Sequence, residues 1–331
     1  MAILSFNAID CGRTPQSINI SESVEINGIS QFINIRGNDD TAPILLMIHG
    51  GPGFSDMPFA LNGYYSILEE YFVVVNWDQR GTGKSFSENI SEETMNIEQF
   101  VSDGAELARS LCARFDKDRI FLRGHSFGGL LGMLIAQKHP ELFHAYFALD
   151  PAISVSKSIP VSHNFVYDRA KAENNNEALA ELDQIGTPPY KDMMQGMQIL
   201  NKWLNVYGGL VFGGMENTNR LFGLFGSVPG YTEADYRKAA AGAEFSARTM
   251  AGAMNIDLFD SVIEIAIPVY FGVGRHDFLN CHEVTEEYYK FLKAPEKEII
   301  WFENSAHFPN FSESDRFQKA LIERFLKKSV N

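Results

Sequence analysis

Apolar and polar positions alternate from Val24 to Ile35, in the stretch VEINGISQFINI, and Asn27-Gly28 interrupts the alternation with a tight-turn signal. That pattern predicts a two-stranded hairpin. The next runs do not alternate. Ile44 to Ile48 and Tyr71 to Trp77 are nearly all apolar, and each stops at polar and glycine residues, as strands buried on both faces of a parallel sheet do. Between Asn96 and Phe115, Ile97, Phe100, Val101, Gly104, Leu107, Ala108 and Leu111 fall at helical spacing and form one buried stripe. Arg119 to Gly124 predicts another strand, Phe127 to Lys138 an apolar helix closed by His139-Pro140, and Ala145 to Asp150 a further strand. This alternation of strand and helix argues for a doubly wound α/β sheet.

The pattern then changes. From about Pro151 to Asp260 the chain is helix-like, rich in Met, Phe and Tyr, and broken by Gly208-Gly209 and Gly213-Gly214, with no buried strand run. Strand and helix resume with Ile267 to Gly274, a helix around Glu283 to Leu292, a strand from Glu298 to Glu303, and a last amphipathic helix with Phe317, Leu321 and Phe325 four apart. The expected organisation is one α/β core in two parts, 1–150 and 262–331, interrupted by a helical cap insertion at 151–261. No internal repeat or low-complexity segment appears.

Composition narrows the function classes. Hydrophobic residues make up 45% and charged residues 21% of 331, with a net charge of −14. That balance excludes nucleic acid and an anionic membrane surface as expected partners. No apolar stretch is long enough to span a bilayer, and the N-terminus lacks the basic region of a signal peptide. Cys11, Cys112 and Cys281 offer neither a disulfide framework nor metal-ligand spacing, and read as reduced thiols of a cytoplasmic protein. Nothing in the sequence sets an oligomeric state.

The densest chemical signal is Gly124-His125-Ser126-Phe127-Gly128-Gly129, between a strand and a helix. It fits G-x-S-x-G, the nucleophile elbow, in which a strained central serine needs neighbours without a Cβ. Ser126 is the candidate nucleophile. His49-Gly50-Gly51-Pro52-Gly53 follows a buried strand, where glycines let a backbone N–H reach a reacting carbonyl. The candidate oxyanion donors are the backbone N–H groups of Gly51 and Phe127. Asp78 to Ser85, DQRGTGKS, ends like a phosphate loop, but Asp78 stands where that motif needs glycine. A structural loop with Arg80 as a hydrogen-bonding anchor is expected instead.

The chain order of this fold is serine, acid, histidine. Of eight histidines, His307 follows the last strand and precedes the last helix, which makes it the candidate base. Asp277, in Gly274-Arg275-His276-Asp277, stands just past a strand end and is the favoured acid, with Asp150 as its competitor.

HGGPG, DQRGTGKS, GHSFGG, GRHD and the SAHF around His307, in that order, resemble the proline iminopeptidase-like branch of the α/β hydrolases. The resemblance covers the sheet domain nearly end to end. It implies an α/β-hydrolase fold, mostly parallel, with about eight strands and an inserted helical cap, and neither metal nor organic cofactor. It also implies carboxylates that hold a substrate's free amine, contributed by the cap and in some members by the residue after the acid. Here that residue is Phe278. The insertion carries Glu216, Glu233 and Glu244, of which Glu216 and Glu244 are taken as candidate substrate-binding residues.

The insertion's Met193, Met194, Met197, Phe212, Met215, Phe222, Phe225, Phe245, Met250 and Met254 are expected to form its own core and in part an adaptable apolar pocket over Ser126. The expected activity is acyl-enzyme hydrolysis of a small molecule or short peptide. An aminopeptidase releasing an N-terminal residue leads, with an esterase, lactonase or amidase as the alternative. Dehalogenase and epoxide hydrolase chemistry needs a carboxylate nucleophile, and position 126 is serine. A non-catalytic binding protein would lack a triad member.

Overall fold

In the computed structural model, which describes residues 14–327, Asn27 and Gly28 both take positive φ, 46° and 80°. That two-residue turn matches the twist of paired strands and sets Ile26 opposite Ile29. The readings made on Cys11 and on the N-terminal leader lie outside the described residues. The hairpin is longer than its alternation predicts, β1 (Ile18–Ile26) with β2 (Ile29–Gly37). Glu22 occupies an apolar phase of β1 and pairs with Arg114 at the surface, which hid the strand's first half.

β3 (Ile44–Ile48), β4 (Val73–Trp77), β5 (Ile120–His125), β6 (Phe143–Leu149), β7 (Val269–Gly274) and β8 (Lys297–Phe302) complete one sheet. Its order is β1-β2-β4-β3-β5-β6-β7-β8. β2 is antiparallel to both neighbours, and the pairs from β4 to β8 are parallel. β3 to β7 are buried along almost their whole length, which is why they read as continuous apolar runs.

The helices are α1 (Met57–Leu61), α2 (Ile97–Phe115) and α3 (Phe127–Lys138); α4 (Val155–Ala172), α5 (Asn176–Ile185), α6 (Met193–Val206), α7 (Met215–Gly226), α8 (Glu233–Thr249) and α9 (Leu258–Ser261), all between β6 and β7; then α10 (His282–Phe291), α11 (Pro309–Ser312) and α12 (Ser314–Leu326). Leu107 and Leu111 of α2, Leu130 and Ile135 of α3 and Tyr288 of α10 pack on one face of the sheet. Phe59 of α1 and Phe317, Leu321 and Phe325 of α12 pack on the other. No described helix is long and apolar enough to cross a membrane.

The stems of the helical insertion meet. Ser154 Oγ donates to Asp257 Oδ2 at 2.7 Å, and Leu258 N–H donates to the Ile153 carbonyl at 2.9 Å. Inside, Ile159, Val166, Leu182, Leu200, Trp203 and Leu204 form a separate apolar cluster. Met193, Met194, Met215 and Phe222 are exposed, so only part of the apolar inventory serves that core. α8 lies directly on the core's glycine loops: a Cβ on Gly53 would come within 2.9 Å of Ser246 Cβ, and Ser246 Oγ donates to the Gly81 carbonyl at 2.9 Å.

The DQRGTGKS loop is a polar joint beneath that helix. Arg80 grips Asp103 with Nε and Nη2 at 2.8 and 3.1 Å, the anchor expected of it. Asp78 is buried, accepting from Ser55 Oγ and from Lys84 N–H, and burial pushes its carboxyl up to about 6. Next to it, His49 Nε2 accepts from Gln79 N–H at 3.2 Å and Nδ1 donates to the Gly50 carbonyl at 2.8 Å. Burial holds that imidazole neutral, down to about 4.

These two groups act oppositely on stability. Between the ordinary carboxylate value of 3.8 and about 6, folded Asp78 keeps a proton that the unfolded chain has lost, so its contribution falls as pH rises. Between 6.5 and about 4, folded His49 refuses a proton that the unfolded chain binds, so its contribution falls as pH falls. The windows overlap and the effects offset. Asp78→Asn removes one side of that balance. Urea unfolding at pH 6.5 and pH 4 should show the variant losing more stability on acidification than the native protein, by on the order of 3 kcal/mol.

Candidate active site

The elbow is built by crowding. Ser126, between β5 and α3, has φ 57° and ψ −120°, a conformation a serine holds only when its surroundings impose it. A Cβ on Gly124 would fall 2.1 Å from the Gly128 carbonyl oxygen, and one on Gly128 would fall 2.4 Å from the carbonyl oxygens of Ile48 and His49. Those glycines let β3, β5 and α3 close on each other. The Ser126 carbonyl accepts from Gly129, Leu130 and Ala152 N–H groups, and its N–H donates to Leu149. The Phe127 N–H stands at the first turn of α3, where a helix has no internal acceptor and its dipole favours negative charge.

Gly51, with φ 110°, lines the same cavity as Ser126. A Cβ on the preceding Gly50 would lie 3.0 Å from Ser126 Cβ, so the end of β3 presses against the serine. Both expected oxyanion donors therefore flank Ser126.

The acid and base loops meet at the same rim. His307 Nδ1 donates to Asp277 Oδ2 at 2.8 Å, and both residues are buried. Asp277 Oδ1 accepts from Leu279 N–H at 2.8 Å and Asn280 N–H at 3.1 Å, so the carboxylate is held by its own turn. Gly274 permits the approach, since a Cβ there would lie 1.9 Å from the Ala306 carbonyl oxygen. The base loop is fixed by His307 N–H donating to Leu210 at 3.0 Å and by His125 Nε2–H donating to the His307 carbonyl at 2.8 Å. The imidazole makes no hydrogen bond to Ser126 Oγ. That hydroxyl has Asn280 Nδ2 at 3.5 Å. Such catalytic hydrogen bonds are often long in a free enzyme and tighten on binding.

Asn280 was missed from sequence. Its signal was its place three residues after Asp277, where a side chain in the same turn points back toward the strand end. Asp150 is buried, and its carboxyl, not bonded to the imidazole, lies within the cluster that holds His125 and His307. Cys112 and Cys281 are free thiols, and burial pushes Cys281 up to about 11.

Over Ser126 lies a cavity of ≈ 230 Å³ lined by Gly51, Val155, Ile159, Ser162, Met197, Leu200, Asn201, Leu204, Met254, Leu279 and Asn280. Its wall is aliphatic with a few neutral polar groups and no ionisable side chain. Glu216 and Glu244, expected near substrate, are exposed and do not line it, and neither does Glu233. Short charged side chains on α7 and α8 remain in water rather than lose hydration in an apolar chamber. Phe278 stacks on Phe165 with ring centroids 3.8 Å apart. A larger open cleft of ≈ 380 Å³ between Arg169, Tyr207 and His276 contains neither Ser126 nor His307, so chemistry rather than volume marks the site.

The family described as serine aminopeptidase, S33, matches residues 43–313. The chain belongs to this family. It is an enzyme, a hydrolase of the α/β-hydrolase fold. The probable aminopeptidase YbaC of Bacillus subtilis (strain 168) is 31% identical over 314 residues, covering 92% of this chain and 96% of that protein. A proline iminopeptidase-related protein of Thermus thermophilus is similar in fold, with a TM-score of 0.66 at 20% identity over 92% of this chain and 96% of the other. An esterase from Exiguobacterium antarcticum is similar too, with a TM-score of 0.62 at 16% identity, covering 92% and 99%.

The contact of Gly50 with the elbow gives a direct test. Gly50→Ala should leave the thermal unfolding midpoint within a few degrees of native, while kcat for a small aryl ester falls about 10²-fold, the scale on which a small displacement at a reacting centre acts. An unchanged kcat would mean that the strand end does not set the position of Ser126.

Proposed function

We propose that this hydrolase releases a small apolar residue from the N-terminus of short peptides through an acyl-enzyme on Ser126. The observation that carries the reading is the small, mostly aliphatic cavity at Ser126, at the rim where the Asp277–His307 pair is buried. The chamber suits one compact side chain and excludes a folded protein. The aminopeptidase name of the YbaC relative points the same way, and the two described free thiols suit a cytoplasmic setting.

In this mechanism Ser126 Oγ attacks the carbonyl carbon and the His307 imidazole takes its proton. Asp277 holds the Nδ1–H tautomer and stabilises the imidazolium without taking the proton itself. The N–H groups of Gly51 and Phe127 stabilise the charge that develops on the carbonyl oxygen. The imidazolium then protonates the leaving amine. Water, activated by the same imidazole, attacks the acyl-enzyme and frees Ser126. The substrate's free amine is left to the neutral groups of the wall, Ser162, Asn201 and Asn280.

One observation favours a second reading. A wall without a carboxylate treats an uncharged acyl group at least as well as an ammonium, which is what an esterase or amidase requires. Steady-state assay of alanine and proline arylamides beside their N-acetyl forms separates the two. The aminopeptidase should lose at least about tenfold in kcat/KM on acetylation, the value of one hydrogen bond to a charged group; equal rates would establish the esterase or amidase. In either case Ser126→Ala should lower kcat by a factor on the order of 10⁴ to 10⁶, and undiminished turnover would overturn both.

A further inference from the structure

A second carboxyl is built into the rim beside the acid and the base. Asp150 directly follows β6 and is buried, with a backbone φ of 40° that a non-glycine residue adopts only when its partners impose it. Its N–H donates to the Gly272 carbonyl at 2.8 Å, its carbonyl accepts from Asn280 Nδ2 at 2.8 Å, and its Oδ1 accepts from Gly274 N–H at 2.8 Å. Asp150 thus touches the strand end that leads to Asp277 and the amide that approaches Ser126 Oγ. One oxygen of Asp150, one nitrogen of His125 and one nitrogen of His307 all lie within 4.8 Å of one another.

Two buried carboxyls that repel each other resist ionising together, and their partners decide which keeps the charge. Asp277 receives three donors, from His307, Leu279 and Asn280. Asp150 receives one, and its Oδ2 is buried without a partner. Burial and then the charge of Asp277 hold the Asp150 carboxyl well above the usual carboxylate range. The other charged or titratable groups around it are Arg123, His125 and His307.

We propose that Asp150 is a positioning residue of the catalytic centre, which anchors the Asp277 turn through Gly274 and becomes a substitute carboxylate for His307 when Asp277 loses its charge. The inference rests on the reading of Ser126, His307 and Asp277 given above. In the native enzyme Asp150 stays neutral, so the His307 imidazolium faces a single carboxylate. Burial, the larger cause of the Asp150 proton's retention, persists when Asp277 loses its charge, but the repulsion from Asp277 is gone. The His307 imidazolium that forms in the reaction is then the counter-charge that favours ionised Asp150 across a longer gap. No covalent step is added.

The test compares kcat/KM of Asp277→Asn with that of the double variant Asp277→Asn/Asp150→Asn on one aryl ester. Loss of a triad acid costs about 10⁴-fold when nothing replaces it. Asp277→Asn should retain at least about tenfold more activity than the double variant, and equal rates would overturn the proposal. Should the double variant fail to fold, as judged by circular dichroism, the pH profile of Asp277→Asn decides alone. Its acid limb should be steeper than that of the native enzyme, because a carboxyl held above the usual carboxylate range must then lose its proton for activity, and a limb no steeper than the native one would overturn the proposal. Ser126→Ala in the same assay separates the causes of failure. Activity that survives it overturns the triad and the role of Asp150 with it; an inactive Ser126→Ala with equal single and double variants overturns the role of Asp150 alone.

Discussion

Backbones approach one another at the C-terminal rim of the parallel sheet more closely than any side chain would permit, and the active centre depends on that approach. Gly124 and Gly128 let the elbow fold onto the carbonyls at the end of β3, and Gly274 lets the acid loop fold onto the base loop. The strained backbone of Ser126 costs about 1–3 kcal/mol by itself. The four backbone hydrogen bonds around it and the buried strands beneath it make any other conformation costlier. A residue with a Cβ at these glycines would move the serine, the helix behind it, or the strand in front of it.

The same crowding excludes water, and this sets the electrostatics. Arg123 lies beneath the elbow, buried and paired with Asp56 at 2.6 Å. Burial holds the His49 and His125 imidazoles below the usual histidine range, and at His125 the neighbouring His307 and then Arg123 add to it. Asp277 is furnished with three donors and Asp150 with one, and burial holds the Asp150 carboxyl well above the usual carboxylate range.

The wall over Ser126 comes mostly from a separate unit. The helical insertion leaves and rejoins the core at paired stems, has its own apolar cluster, and supplies most of the wall over Ser126 from α4 and α6. α8 packs on the glycine loops but contributes no wall residue. The core thus carries Ser126, Asp277 and His307, and α4 and α6 supply most of the side chains that bound the cavity at Ser126.

Much of this was legible in the chain. Buried strands wrote themselves as apolar runs because both faces need apolar side chains, the glycine-framed motifs marked the close approaches around Gly50, Gly124, Gly128 and Gly274 because only glycine tolerates such contact, and His307 was read from its place after the last strand. Where the alternation broke, at Glu22, the strand's first half went unread. The amine-binding role offered for Glu216 and Glu244 rested on residue type alone, and type does not say which face of a helix meets the cavity. The meeting of Asp150 with His125 and His307, and of Asn280 with Ser126, was decided only by tertiary structure. Local sequence reports what each backbone segment can do by itself, whereas the distance between side chains on different strands is set by sheet order and loop closure, which no single segment encodes.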